Sequence, residues 1–220
     1  MLRGYPIFRF LLLTIGGLSF FLLSPPVRAQ TEYPKTISVL EKAYRGEIIA
    51  HHKYIAYAQK ANSEDYPNIA TLFMSLSTSE SIHARNFKEI LVSLKADIKD
   101  VEIPEFRVSS TKKNLKNATK VELNEIDTLY PKFIQMIESE NHQEAIRRIT
   151  YAWESEKQHR DLIRKIQSGT GIFFGALAKK IESTSVHYYV CQRCGSTLTE
   201  LPTDQCPVCT GSVSHYIKLK

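Results

Sequence analysis

The sequence predicts an all-α four-helix bundle followed by a small C-terminal β domain built around a four-cysteine metal site. Three observations predict it. Between Lys35 and Ile166 apolar residues recur at spacings of three and four, with Gly46 as the single glycine. That stretch is cut by two short turns and one long connection. All four cysteines fall within the 19 residues Cys191–Cys209. The composition of the 220 residues, 43% hydrophobic and 24% charged, excludes a disordered or collagen-like chain. Four cysteines are too few for a disulfide scaffold of this size.

Residues 1–29 read as a signal peptide. Arg3 and Arg9 precede an uncharged apolar run, Phe10–Leu23, of 14 residues. Val27-Arg28-Ala29 has the small-x-small form of a cleavage site, which would leave Gln30 as the first mature residue. Such a run is short for a membrane span, which needs about 20 residues; an uncleaved membrane anchor is the alternative. The expected location is the periplasm or another extracytoplasmic space.

Removing the segment takes away three arginines and no acid, so the formal charge falls from +6 to +3. Lys and Arg are scattered rather than blocked with aromatics, so nucleic-acid binding is not expected.

Four helices follow, at about 36–61, 67–94, 111–139 and 142–167. The turn Asn62–Pro67 pairs the first two antiparallel, and the turn at Glu138–His142 pairs the last two. Asp97–Ser110 is long enough to cross the bundle from end to end. Two hairpins joined by one long crossover is the connection of ferritin-like bundles. Residues 30–185 are therefore the bundle domain, ending in a Ser-Gly-Thr-Gly linker and a short amphipathic helix at 172–183. From Val186 the chain turns to Tyr, Val, Thr, Cys and Pro, and 186–220 reads as small β-structure.

The acids carry the functional signal. On the second helix the apolar stripe Ile69, Leu72, Phe73, Leu76 is interrupted by Glu80 and His83, then resumes at Phe87, Ile90 and Leu91. On the fourth, Ile146, Ile149, Trp153 give way to Glu156 and His159, then Ile163 and Ile166. Glu47 interrupts the first stripe, and Glu122 and Glu125 the third. Unpaired carboxylates inside a bundle cost several kcal/mol each, and no Lys or Arg sits at matching steps. Metal is the counter-charge that fits. Residues three apart share a helix face, so each Glu-x-x-His offers an oxygen and a nitrogen to one point. Two such motifs with glutamates from the other helices form the ligand set of di-iron and di-manganese carboxylate bundles. The spacing also repeats, 33 residues from Glu47 to Glu80 and 34 from Glu122 to Glu156. Tyr54 follows Glu47 on the same face, either orienting a ligand carboxylate or packing as a core aromatic. His51 reads as structural, and His52, His142, Glu138, Glu140 and Glu144 as surface.

Cys191-x-x-Cys194 and Cys206-x-x-Cys209, eleven residues apart, make a closed four-thiolate site. Spacing alone favours zinc, two disulfides remain open, and a redox dinuclear site nearby favours iron as an electron carrier.

Together these residues resemble the rubrerythrins, a ferritin-like di-iron domain followed by a rubredoxin-like domain. The marks are Gly46-Glu47, Glu80-x-x-His83, Glu122-x-x-Glu125 with Leu129-Tyr130-Pro131, Glu156-x-x-His159 and the two cysteine arms. The resemblance implies a di-iron centre, one iron in the four-cysteine site, and a peroxidase reducing hydrogen peroxide to water. It implies that Glu47, Glu80, His83, Glu122, Glu125, Glu156 and His159 all hold the metal pair, with catalytic roles for Glu125, Tyr54 and Tyr130. It also implies an external electron donor, and a homodimer with one subunit's cysteine domain near the partner's di-iron site. The family is cytoplasmic as a rule, so an export signal would be a departure requiring an exported donor. A ferroxidase with a structural zinc ribbon is the competing function.

Overall fold

The computed structural model describes residues 1, 32–167, 181–183 and 186–219. The signal segment, most of the 172–183 helix and the expected boundary at 185 lie outside them. Glu32–Lys220 forms one compact unit.

The helices α1 (Pro34–Ser63) and α2 (Pro67–Ser93) make the first hairpin. Each starts with proline in its first turn, where the missing N–H would go unpaired anyway and the fixed φ suits a helix. The third bundle helix is α3 (Thr111–Asn124), a π turn at Glu125–Leu129 and α4 (Tyr130–Ile137). The fourth is α5 (Gln143–Gln167).

Three helix N-termini are capped by carboxylates from far along the chain. Glu140 accepts from the amides of Lys35 and Thr36, both at 2.8 Å. Glu64 accepts from Thr111 N at 2.8 Å, and Glu182 from Asn68 N at 2.8 Å. Each carboxylate answers free N–H groups and the positive end of the helix dipole. These contacts also stitch the hairpins together end to end.

The core has two apolar clusters. One holds Tyr54, Phe73, Leu76, Leu115 and Ile163; the other holds Leu40, Ala43, Phe87, Tyr130, Phe133 and Ile149. On every bundle helix the buried acid falls between the part belonging to one cluster and the part belonging to the other. The expected interruption of each stripe is thus a polar layer across the middle of the bundle.

The π turn was not expected. Tyr130 N–H bonds to Glu125 O, five residues back. Pro131 has no N–H to continue the ladder, which frees the Ile126 carbonyl. Trp153 on α5 fills that place, its indole Nε1–H donating to Ile126 O at 2.9 Å. The turn also resets helical phase. Eight residues at about 100° each would leave Tyr130 about 80° from Glu122, and one residue absorbed by the π turn brings them to within about 20°.

The C-terminal part is a three-stranded antiparallel sheet in the order β2 (Thr197–Leu198), β1 (Tyr188–Cys191), β3 (Tyr216–Leu219). Val190 pairs with Thr197 and Ile217, and Cys191 with Tyr216. Tyr188 packs into the first apolar cluster and ties the sheet to the bundle.

Candidate metal centres

Six side chains meet in the polar layer: Glu47 from α1, Glu80 and His83 from α2, Glu122 from α3, and Glu156 and His159 from α5. Exposure is 6% at Glu47 and 2% or less at the other five. They form two overlapping groups, Glu47-Glu80-His83-Glu156 and Glu80-Glu122-Glu156-His159, each with donor atoms within 4.8 Å of one another. Glu80 and Glu156 belong to both, and they divide their oxygens. Glu80 Oε2 lies 3.0 Å and Glu156 Oε1 3.2 Å from His83 Nδ1. Glu156 Oε2 lies 2.7 Å and Glu80 Oε1 3.4 Å from His159 Nδ1. Each of these two carboxylates thus turns one oxygen to His83 and the other to His159, an arrangement that would suit two cations.

A test of fit comes from unsatisfied atoms. Glu80 Oε2, His83 Nδ1, Glu122 Oε2 and Glu156 Oε1 are buried without a hydrogen-bond partner. Leaving one such group unmet costs about 1–3 kcal/mol, more for a charged one. A pair of cations would satisfy all four. Without cations, protons and histidine charge must balance the acids. Burial, together with Glu80 and Glu156, pushes the Glu47 carboxyl up to about 7 against the pull of His83. Burial and the charges of Glu156, Glu125 and Glu80 push Glu122 well up. Burial opposes charge on His159, yet Glu156 and Glu80 beside it raise it to about 9.

The outer ends of the carboxylates are held by tyrosine. Tyr54 Oη–H donates to Glu122 Oε1, and Tyr130 Oη–H to Glu47 Oε1. Each tyrosine comes from one hairpin and holds an acid from the other. Burial and the nearby carboxylates keep both phenols protonated, far above their ordinary range. Glu125 joins neither ligand group. It is half-buried at the start of the π turn, and its carboxyl is pushed well up by burial and by Glu156, Glu47 and Glu80. His51 is bound to Ser77, with Nδ1 2.8 Å from both Ser77 O and Oγ.

The four cysteines are buried and unpaired by disulfides, which removes the disulfide alternative. Their sulfurs all lie within 4.8 Å of one another, with Cys191–Cys209 at 3.9 Å and Cys194–Cys206 at 3.5 Å. Four sulfurs at about 2.3 Å from a tetrahedral centre stand about 3.8 Å apart, so the set fits one metal ion.

The first cysteine arm rests on the histidines. His83 Nε2 lies 3.2 Å from Cys194 O, and His159 Nε2 lies 3.3 Å from Thr197 Oγ1. Thr197 Oγ1 donates to Gly195 O at 2.9 Å, so it is an acceptor toward His159. Both imidazoles thus keep their proton on Nε2 and turn Nδ1 to the carboxylates, as metal-bound histidines do. Ser79 Oγ donates to Gly195 O at 2.7 Å and Ser155 Oγ to Cys194 O at 3.2 Å. Asn86 Nδ2 donates to Arg193 O at 3.0 Å, and Thr197 N to Gln158 Oε1 at 2.9 Å. Gly195, at φ +84°, lets the arm approach this closely.

A family model described as Rubrerythrin matches residues 38–167. The chain belongs to the rubrerythrin family. Rubrerythrin-2 of Clostridium acetobutylicum is 33% identical over 175 residues, covering 79% of this chain and 91% of the relative. The rubrerythrin of Porphyromonas gingivalis is 29% identical, with 88% and 98% covered. Among solved structures, nigerythrin in a mixed-valent state superposes with a TM-score of 0.70 at 24% identity, over 83% of this chain and 86% of that one. That likeness establishes the fold, a ferritin-like bundle with a small rubredoxin-like sheet.

The cofactors of this rubrerythrin are a di-iron centre in the polar layer and an iron in the four-cysteine site. The chain is a di-iron oxidoreductase of that family. The expected location is corrected. Among the rubrerythrin relatives there is no sign of export, and no helix of the described residues is long and apolar enough to cross a membrane. The apolar run behind that expectation lies within residues 2–31, outside the described residues. Within the single chain, His83 meets the chain's own cysteine arm.

Ser79, Ser155, Gly195 and Thr197 were missed by the sequence reading. The signal was there for the serines. Each ligand motif is preceded by serine, Ser79-Glu80-x-x-His83 and Ser155-Glu156-x-x-His159, so the repeated unit is Ser-Glu-x-x-His. A residue four before the histidine shares its face.

Proposed function

We propose that the protein is a peroxidase that reduces hydrogen peroxide to water, taking electrons one at a time through its four-cysteine site. The balance is one peroxide, two protons and two electrons to two waters. The observation that carries the reading is the contact of Cys194 O with His83 Nε2, which joins the two sites by one hydrogen bond and a few covalent bonds. Bound iron supplies the redox chemistry, two electrons at the dinuclear site and one at the thiolates.

The chain's residues do the rest. Glu47, Glu80, His83, Glu122, Glu156 and His159 are assigned to the iron pair, and Cys191, Cys194, Cys206 and Cys209 to the single iron. Tyr54 and Tyr130 hold Glu122 and Glu47 in orientation through donated hydrogen bonds. Glu125 is proposed as the mobile carboxylate: its raised pKa lets it carry a proton to the departing oxygen, and the π turn lets its backbone shift without unwinding a straight helix. The apolar clusters on both sides exclude bulk water. We propose that residues 186–220 are the electron-accepting domain, that an external redox protein reduces it, and that the protein is a homodimer.

The test is anaerobic. The iron-loaded full chain is reduced, mixed with hydrogen peroxide, and followed by the visible absorbance of the thiolate-bound iron. Prompt return of the oxidised colour with stoichiometric peroxide loss supports the proposal. Peroxide loss without any colour change refutes the electron route. Ferrous-iron oxidation with no peroxide turnover points to the ferroxidase.

A further inference from the structure

Each sulfur in a C-x-x-C turn faces backbone amides by construction. Here the amides of Arg193, Ser196 and Cys209 bond to the sulfurs of Cys191, Cys194 and Cys206. Cys206 has a further donor that the turn does not provide. Tyr216, paired with Cys191 across β1 and β3, places its hydroxyl 3.2 Å from Cys206 Sγ. On its other side that hydroxyl lies 2.9 Å from Ser196 Oγ, and Ser196 is fully buried. A thiolate only accepts, and tyrosine has one O–H. The arrangement that satisfies every atom therefore runs one way: Ser196 donates to Tyr216, and Tyr216 donates to Cys206.

We propose that Tyr216, backed by Ser196, is a positioning residue that raises the reduction potential of the four-cysteine iron. This rests on that site being an iron electron carrier. Four thiolates around ferric iron leave one net negative charge, and around ferrous iron two. The added electron density sits partly on sulfur. A hydrogen bond donated to sulfur therefore stabilises the reduced state more than the oxidised one, and bonds to a charged acceptor are about twice as strong as neutral ones. The consequence is a site that a mild reductant can fill.

The test is a spectroelectrochemical titration of the iron-loaded full chain, following its visible charge-transfer band. In Tyr216→Phe the potential falls, and the oxidised-to-reduced ratio at fixed ambient potential rises about tenfold, equivalent to 59 mV for one electron. Ser196→Ala shifts it in the same direction by less, because Tyr216 keeps its donation but loses the polarising partner. The iron–sulfur stretching band in resonance Raman moves to higher frequency in Tyr216→Phe as that sulfur binds iron more strongly. A coloured Tyr216→Phe protein with an unshifted potential overturns the proposal. Should that variant not fold, an unshifted Ser196→Ala overturns it equally. A wild-type protein that takes up metal but stays colourless refutes the iron reading itself, a different failure from an unmoved potential.

Discussion

Gly195→Ala should separate the two metal sites while leaving both loaded. A Cβ at this position would stand 2.3 Å from His83 Nε2, 2.5 Å from Ser79 Oγ and 2.7 Å from His83 Cδ2. Ordinary contact begins near 3.4 Å, so something must move by about 1 Å. His83 cannot retreat, because its other nitrogen is set among Glu47, Glu80 and Glu156. The cysteine arm has to lift. Lifting weakens Cys194 O–His83 and Ser79–Gly195 O, each worth about 0.5–1.5 kcal/mol. The φ of +84° adds strain of about 1–2 kcal/mol for a residue with a Cβ. A misplacement of about 1 Å costs on the order of tenfold to a hundredfold where rate depends on placement. The assay is the rate of colour return after peroxide is added to the reduced protein, with iron content measured in parallel. Slower return with full iron content is expected. Gly46→Ala is the control, since a Cβ there meets nothing within 4 Å. Colour return in Gly195→Ala at the wild-type rate would refute the claim that the two sites are coupled through this contact.

Four further outcomes are expected. Tyr54→Phe and Tyr130→Phe each remove the donor that orients a buried carboxylate, and iron affinity should drop about tenfold to a hundredfold in chelator competition. Trp153→Phe leaves the Ile126 carbonyl unmet beside the π turn and should cost about 1–3 kcal/mol in denaturant unfolding. The amides of Lys35 and Thr36 and the Lys35 charge hold Glu140 below the ordinary carboxylate range despite slight burial. Its contribution is therefore present above the unfolded-state pKa and is lost as pH falls through the lower folded value. Glu140→Gln should destabilise by about 1 kcal/mol at neutral pH, with the gap closing in acid melts below about pH 4. Chelating the iron removes a ligand that binds only the folded state, so calorimetry should show a lower melting temperature that recovers on reloading.

The bundle was legible because its signals are local. A glutamate in place of leucine on an apolar stripe can be seen within one helix, and four such places in one chain implied a common centre. Even so, the stripe could not say which oxygen faces which histidine, nor that Glu125 stands apart from the ligand groups. Those depend on where four helices cross. The third helix was expected to run unbroken, although Pro131 sits in the middle of it. Its break is rescued by Trp153, on a different helix, so no local pattern could predict the π turn. Glu140 read as surface; it caps the first helix by accepting from Lys35 N, 105 residues earlier.

By itself, the sequence determined the fold class, the ligand types and the two metal sites, because helical period and C-x-x-C spacing are properties of neighbours along the chain. Tertiary structure alone decided that two carboxylates lie between both histidines, that two tyrosines cross between hairpins to hold the other two, and that the cysteine arm lies on both histidines. Each of these is a contact between segments far apart in sequence. Its existence depends on packing distances of a few tenths of an ångström, which residue order does not encode locally.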